Sequence, residues 1–182
     1  MIKHVTLFFA VTAALLLASL AAPAQAEDDG AIRSQLASRS FLLGTWHCTF
    51  TVGTESGEYT TVWSSILDGL WLKQTWDQPK QPGTTFAFQA EFLVGYDERR
   101  REWIRFGALS TGQYFAIRMA DTGTRGWRWT YVSFFGRRQQ LPASGYDAIF
   151  TRKNDGLYTV DGPTYPNQSG ATVTEHHVCR KE

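Results

Sequence analysis

Phe41-Leu42-Leu43-Gly44-Thr45-Trp46-His47-Cys48-Thr49-Phe50-Thr51-Val52 decides the fold. From Trp46 onward every second residue, Cys48, Phe50 and Val52, is apolar, with His47, Thr49 and Thr51 between them. A period of two with one apolar side is a β-strand buried on one face. Gly44, lacking a Cβ, allows a sharp entry into that strand, and Trp46 is large enough to plug one end of a closed sheet.

Outward from this strand the same alternation recurs. Before it, Glu27 to Ser40 is polar with Ile32 and Leu36 at helical spacing, which predicts a short N-terminal amphipathic helix. After it, Glu58 to Ile66 and Leu70 to Asp77 read as strands joined by a tight hairpin turn at Asp68-Gly69. Pro79 and Pro82 mark a loop, since proline cannot donate to a ladder. Phe86, Phe88, Ala90, Phe92 and Val94 then share one parity, opposite Gln89 and Glu91. Further strands are predicted at Glu102 to Leu109, Gln113 to Ala120, Trp127 to Phe135, Tyr146 to Arg152, Leu157 to Asp161 and Ala171 to Arg180. About ten short strands with closely spaced turns, and no helix long enough for a crossover, predict an all-β antiparallel barrel or sandwich.

Residues 1–26 read as a signal peptide: Lys3 precedes an apolar run from Val5 to Leu20, and Ala24-Gln25-Ala26 fits a small-x-small cleavage site. The run is shorter than the roughly 20 residues a membrane span needs. The domain proper is then 27–182, in the periplasm or secreted, with no membrane association after cleavage. Of 18 basic and 17 acidic residues only Lys3 lies in the leader, leaving 17 against 17 and no basic surplus for a nucleic-acid partner. Two cysteines in an oxidising compartment, without a Cys-x-x-Cys, point to a disulfide between Cys48 and Cys179. Because a disulfide holds its Cα atoms within about 7 Å, the first and last strands become neighbours, and a sheet whose ends meet is a barrel.

Three stretches resemble a known family: Leu43-Gly44-Thr45-Trp46, Leu67-Asp68-Gly69-Leu70-Trp71-Leu72, and Leu93-Val94-Gly95-Tyr96-Asp97 followed by Trp103. They look like the bacterial calycin-like family related to the lipocalins and nitrobindin. The resemblance implies a ten-stranded up-and-down barrel with an internal cavity. It also makes Arg180 similar to the lipocalin arginine that packs on the opening tryptophan, here Trp46. Nitrobindin-like haem proteins carry glycines at alternate positions after Gly-x-Trp, where this chain has Cys48, Phe50 and Val52. Those side chains fill the space a porphyrin needs, so weak or no haem binding and a smaller apolar ligand are expected.

No phosphate-binding loop, Gly-x-Ser-x-Gly, Ser-x-x-Lys or His-Glu-x-x-His is present, so no catalytic residue is assigned and the enzyme class loses its strongest signals. Of the four histidines, His4 is in the leader and His47 is out of phase with Trp46 and Cys48, hence outward. His176 and His177, being adjacent on a strand, point to opposite faces and cannot chelate one metal together. If Cys179 faces inward, so do Glu175 and His177, an interior polar pair able to anchor a ligand or to ligate iron. Phe88 and Phe92 share a face, as do Trp127, Trp129 and Tyr131, while Arg105, Arg118 and Arg128 sit within apolar strands. The candidate cavity set is Phe88, Phe92, Arg118, Trp129, Tyr131, Glu175 and His177, suited to a small hydrophobic molecule with Arg118 holding any anionic group. Two alternatives stand beside this: a haem-binding or enzymatic barrel using His177, and a filled barrel serving as a structural or interaction module, since parity alone does not tell a hollow barrel from a packed one.

Overall fold

Ten antiparallel strands close on themselves in a computed structural model that describes residues 29–82, 84, 87–121, 126–135, 147–166 and 172–182, side chains excepted at 29, 131–135, 163, 165 and 166. One short helix, α1 (Asp29–Ala37), precedes β1 (Gly44–Val52), β2 (Glu55–Ile66), β3 (Trp71–Gln78), β4 (Phe88–Asp97), β5 (Glu102–Leu109), β6 (Tyr114–Asp121), β7 (Gly126–Phe135), β8 (Ala148–Asn154), β9 (Leu157–Pro166) and β10 (Thr172–Lys181). Each strand pairs with the next in sequence, and β1 pairs with β10, so the barrel is up-and-down and leaves no open edge. The leader 1–26 and Phe86 lie outside the described residues.

The opening strand behaves as its pattern requires. Trp46, Cys48 and Phe50 are buried while His47, Thr49 and Thr51 are exposed. Gly44 enters with φ 114°, a left-handed value that suits a residue without a Cβ. The β1–β10 register sets Cys48 opposite Cys179, and the two are joined by a disulfide with Cα atoms 4.0 Å apart. That bridge lies on the seam where the barrel closes.

Strand polarity gives the barrel two unlike ends. The end at which β1 begins and β10 finishes forms a floor, where Leu36 and Leu42 are buried with Trp46, Trp103 and Trp127. The Trp46 indole N–H donates to the Leu42 carbonyl at 2.6 Å. Arg39, 7 % exposed, lies over the Trp127 ring at 4.6 Å and pairs with Asp121. Burial lowers the Arg39 pKa, and the charge of Asp121 works against that shift.

Two local features differ from the sequence reading. The β2–β3 connection is wider than a two-residue turn: Ile66 pairs with Trp71, and Leu67, Asp68 and Gly69 between them take φ of 50°, 54° and 81°. Arg180 faces outward, because its neighbour Cys179 faces in; Lys181, set opposite Trp46, instead carries its ammonium 5.5 Å over that ring.

Candidate functional site

Above the floor the interior is hollow, with a cavity of about 340 Å³. Its wall is mostly aromatic: Phe50, Tyr59, Trp63, Trp76, Phe88, Phe92, Phe115, Trp129, Phe150 and Tyr158 all contribute. Such a volume falls in the roughly 300–1,000 Å³ range of small-molecule sites. Toward the end away from the floor the lining includes Glu55, Gln78 and Thr84, at or beyond the strand ends on that side, and Glu175, set opposite Val52 at the end of β1.

Two polar groups interrupt the aromatic wall. The first is centred on His177, which is 5 % exposed and faces inward with Cys179. Its Nδ1 is 3.2 Å from the Tyr59 hydroxyl and its Nε2 is 3.3 Å from a Glu175 carboxylate oxygen. Tyr59 stacks on Trp76 with ring centroids 3.7 Å apart, and Trp76 meets the His177 ring edge-on at 5.5 Å. Burial drives the Tyr59 phenol well above its ordinary pKa, and burial does the same to Tyr158. Both phenols are therefore neutral at ordinary pH.

The second group is deeper and is built on Arg105, 3 % exposed. β5 carries Trp103, Arg105 and Gly107 inward, so Arg105 stands one inward step above the floor tryptophan. Its guanidinium lies 3.9 Å over the Phe92 ring and 4.5 Å over the Trp129 ring. Arg105 Nη2 donates to Gln74 Oε1 at 2.7 Å, Gln74 Nε2 donates to the Thr61 hydroxyl at 2.9 Å, and that hydroxyl donates to the Thr75 carbonyl at 2.6 Å. This relay ends on backbone, which fixes the Gln74 amide and with it one edge of the guanidinium. Among the described residues, the indole N–H groups of Trp76 and Trp129 on the same wall have no hydrogen-bond acceptor.

The residues singled out in the sequence thus divide. Phe88, Phe92, Trp129, Glu175 and His177 meet at the cavity, whereas the Tyr131 side chain lies outside the described residues. Arg118 is on the outer wall, half-exposed and 3.3 Å from Glu102, because Ile117 and Met119 beside it point inward. Arg128 is likewise outside, 3.5 Å from Asp147. His47 is exposed, and His176 faces out beside Asp161. Sequence reasoning missed Tyr59, Gln74, Trp76 and the inward placement of Arg105. Among the described residues no cluster of three or more His, Cys, Asp or Glu is placed to hold a metal.

The haem of nitrobindin-like proteins does not fit these residues. Ligation of iron needs one imidazole nitrogen free, and both nitrogens of His177 are engaged, while Phe50 and Cys48, tied to Cys179, form the wall beside it.

No protein-family model matches the chain, and no curated protein matches it. Among solved structures it is similar to a redesigned β-barrel, at 9 % sequence identity and a TM-score of 0.41, over 80 % of this chain and 95 % of that one.

Proposed function

We propose that this chain is an exported calycin-like barrel that binds one small, largely apolar molecule inside the barrel without transforming it. The observation that carries this reading is the 340 Å³ aromatic-walled cavity into which two ordered polar groups converge. A filled barrel would bring facing rings into contact across that space. Export rests on the leader pattern of residues 1–26 and is supported by the Cys48–Cys179 bridge, which persists in oxidising compartments. A water-exposed rather than lipid-exposed outer wall is supported by the ion pairs Lys73–Glu91, Arg118–Glu102 and Arg128–Asp147 on it, since transmembrane barrels present an apolar band instead.

Native mass spectrometry of protein purified from its own periplasm or medium tests the proposal: an adduct of small-molecule mass, lost on unfolding, is expected, with the chain starting at Glu27. Consistently bare protein that also fails to change its tryptophan emission with any apolar probe would count against a binding barrel. A second reading, in which the ligand is transformed, rests on the Tyr59–His177–Glu175 arrangement, where a carboxylate orients an imidazole. Recovery of the ligand chemically unchanged after long incubation decides against it.

A further inference from the structure

Resting on the cavity reading above, we propose that the bound molecule is a small monocarboxylate, its apolar body between the aromatic walls and its carboxylate at the floor against Arg105. Four features of the barrel lead there. A guanidinium does not deprotonate in proteins, so Arg105 places a permanent positive charge at the lower end of a chamber whose wall is mostly aromatic. Its orientation is held along one edge by Gln74 of the chamber wall, which is itself anchored through the Thr61 hydroxyl to the Thr75 carbonyl, so its planar fork is set in place for a planar, two-oxygen partner. Trp129, whose ring lies 4.5 Å from that guanidinium, brings a second donor, its indole N–H, to the same region.

The fourth feature is the polarity of the chamber. Its positive charge is at the floor, and toward the other end its lining includes the carboxylates of Glu55 and Glu175. An anion entering past those groups is favoured only where its charge ends deep, and a second charge of the same sign left near Glu175 is disfavoured. A monoanion with an apolar or hydrogen-bond-donating far end matches both ends, whereas a dicarboxylate matches one. His177, held by Glu175 and Tyr59, then borders the middle of the ligand rather than its charged head.

Isothermal titration of ligand-stripped protein with naphthoate and with its neutral counterpart naphthalenemethanol tests the proposal. Arg105 forms a charged hydrogen-bonded contact with only the first, so naphthoate is expected to bind roughly ten- to hundredfold more tightly. Arg105→Met should erase that preference, bringing the affinities of the two compounds together, and Arg105→Lys should keep part of it, since an ammonium supplies charge without the fork. Equal affinities for the two compounds in the unaltered protein would overturn the carboxylate assignment and leave the cavity reading standing. So would naphthoate binding that survives Arg105→Met undiminished. Failure of both compounds to bind would remove the cavity reading as well. If Arg105→Met does not fold, the selectivity of the unaltered protein and of Arg105→Lys still decides the matter.

Discussion

Raising the pH of this protein above the ordinary phenol value should unfold it with a slope set by two identified side chains. Tyr59 and Tyr158 are 5 % and 2 % exposed, and burial raises the pKa of both in the folded state above the ordinary 10.0. The stabilising effect of a group raised in this way is fully present below its unfolded pKa and is lost as pH climbs toward its folded pKa. Between those limits the unfolded chain has released a proton that the folded chain still holds, so each phenol lowers stability by about 1.4 kcal/mol per pH unit. At about pH 11 the loss is about 1.4 kcal/mol for one phenol and about 2.8 kcal/mol for both. Tyr158→Phe keeps the ring, which packs 4.5 Å from Phe150 and 4.7 Å from Trp46, and removes only the titrating oxygen. Urea denaturation at several values from about pH 9 to about pH 11.5, read by tryptophan emission, should give a shallower loss for Tyr158→Phe than for the unaltered chain, by about half of the two-phenol slope. Difference absorbance of tyrosinate should show the corresponding phenol ionising only as the protein unfolds. If the two proteins lose stability in parallel above pH 10, the Tyr158 phenol ionises inside the barrel, and the inference that burial holds its pKa above the ordinary value is wrong.

Other perturbations have equally definite outcomes. Cys48→Ala opens a bridge spanning 131 residues, for which chain-entropy reasoning gives up to about 5 kcal/mol, so calorimetry should show a clearly lower Tm; two free thiols in non-reduced protein would refute the premise. Gly107→Ala places a Cβ 2.5 Å from Phe115 and 2.7 Å from Phe92, and overpacking of this kind should cost about 1 to 3 kcal/mol in urea denaturation; an unchanged midpoint would mean that those rings swing aside freely. Leu67, 64 % exposed, holds φ at 50°, so Leu67→Asn should stabilise by up to about 1 kcal/mol, and a fall in the thermal midpoint would show that Leu67 makes contacts its exposure does not suggest.

How far the sequence could be read depends on the strand. β1 is apolar on one side only, so its parity, the inward Cys48 and, through Cys179, the inward Glu175 and His177 were all legible. β6 was equally clear: Phe115, Ile117 and Met119 alternate inward, which puts Arg118 outside, and its assignment to the cavity set overlooked that parity. Arg180 was misplaced for the same reason, because a neighbour of an inward Cys179 faces out. β5 is different in kind. Ile104 and Phe106 are as apolar as Trp103, yet Phe106 is 46 % exposed, so its pattern is apolar on both sides and does not tell which way Arg105 points. The hollow itself was not legible, because whether facing rings touch is set by barrel radius, a property of strand number and stagger rather than of any one strand. The β2–β3 connection was misjudged because Leu67 gives no sign of adopting a left-handed backbone.

Pairing of β1 with β10 has a consequence for how the chain reaches its fold. A growing polypeptide emerges from its amino end, so β1 is available long before its second partner exists. Until β10 emerges, β1 and β9 each present a bare row of backbone donors and acceptors, and such rows invite pairing with other chains. β9 is covered by its local pairing with β10, but the contact that finally covers β1 joins residues 131 apart, close to the longest separation the domain offers, and loop closure of that length is slow. A truncation that removes only β10 would therefore do more than delete one strand in ten: it would make permanent the most aggregation-exposed stage of synthesis.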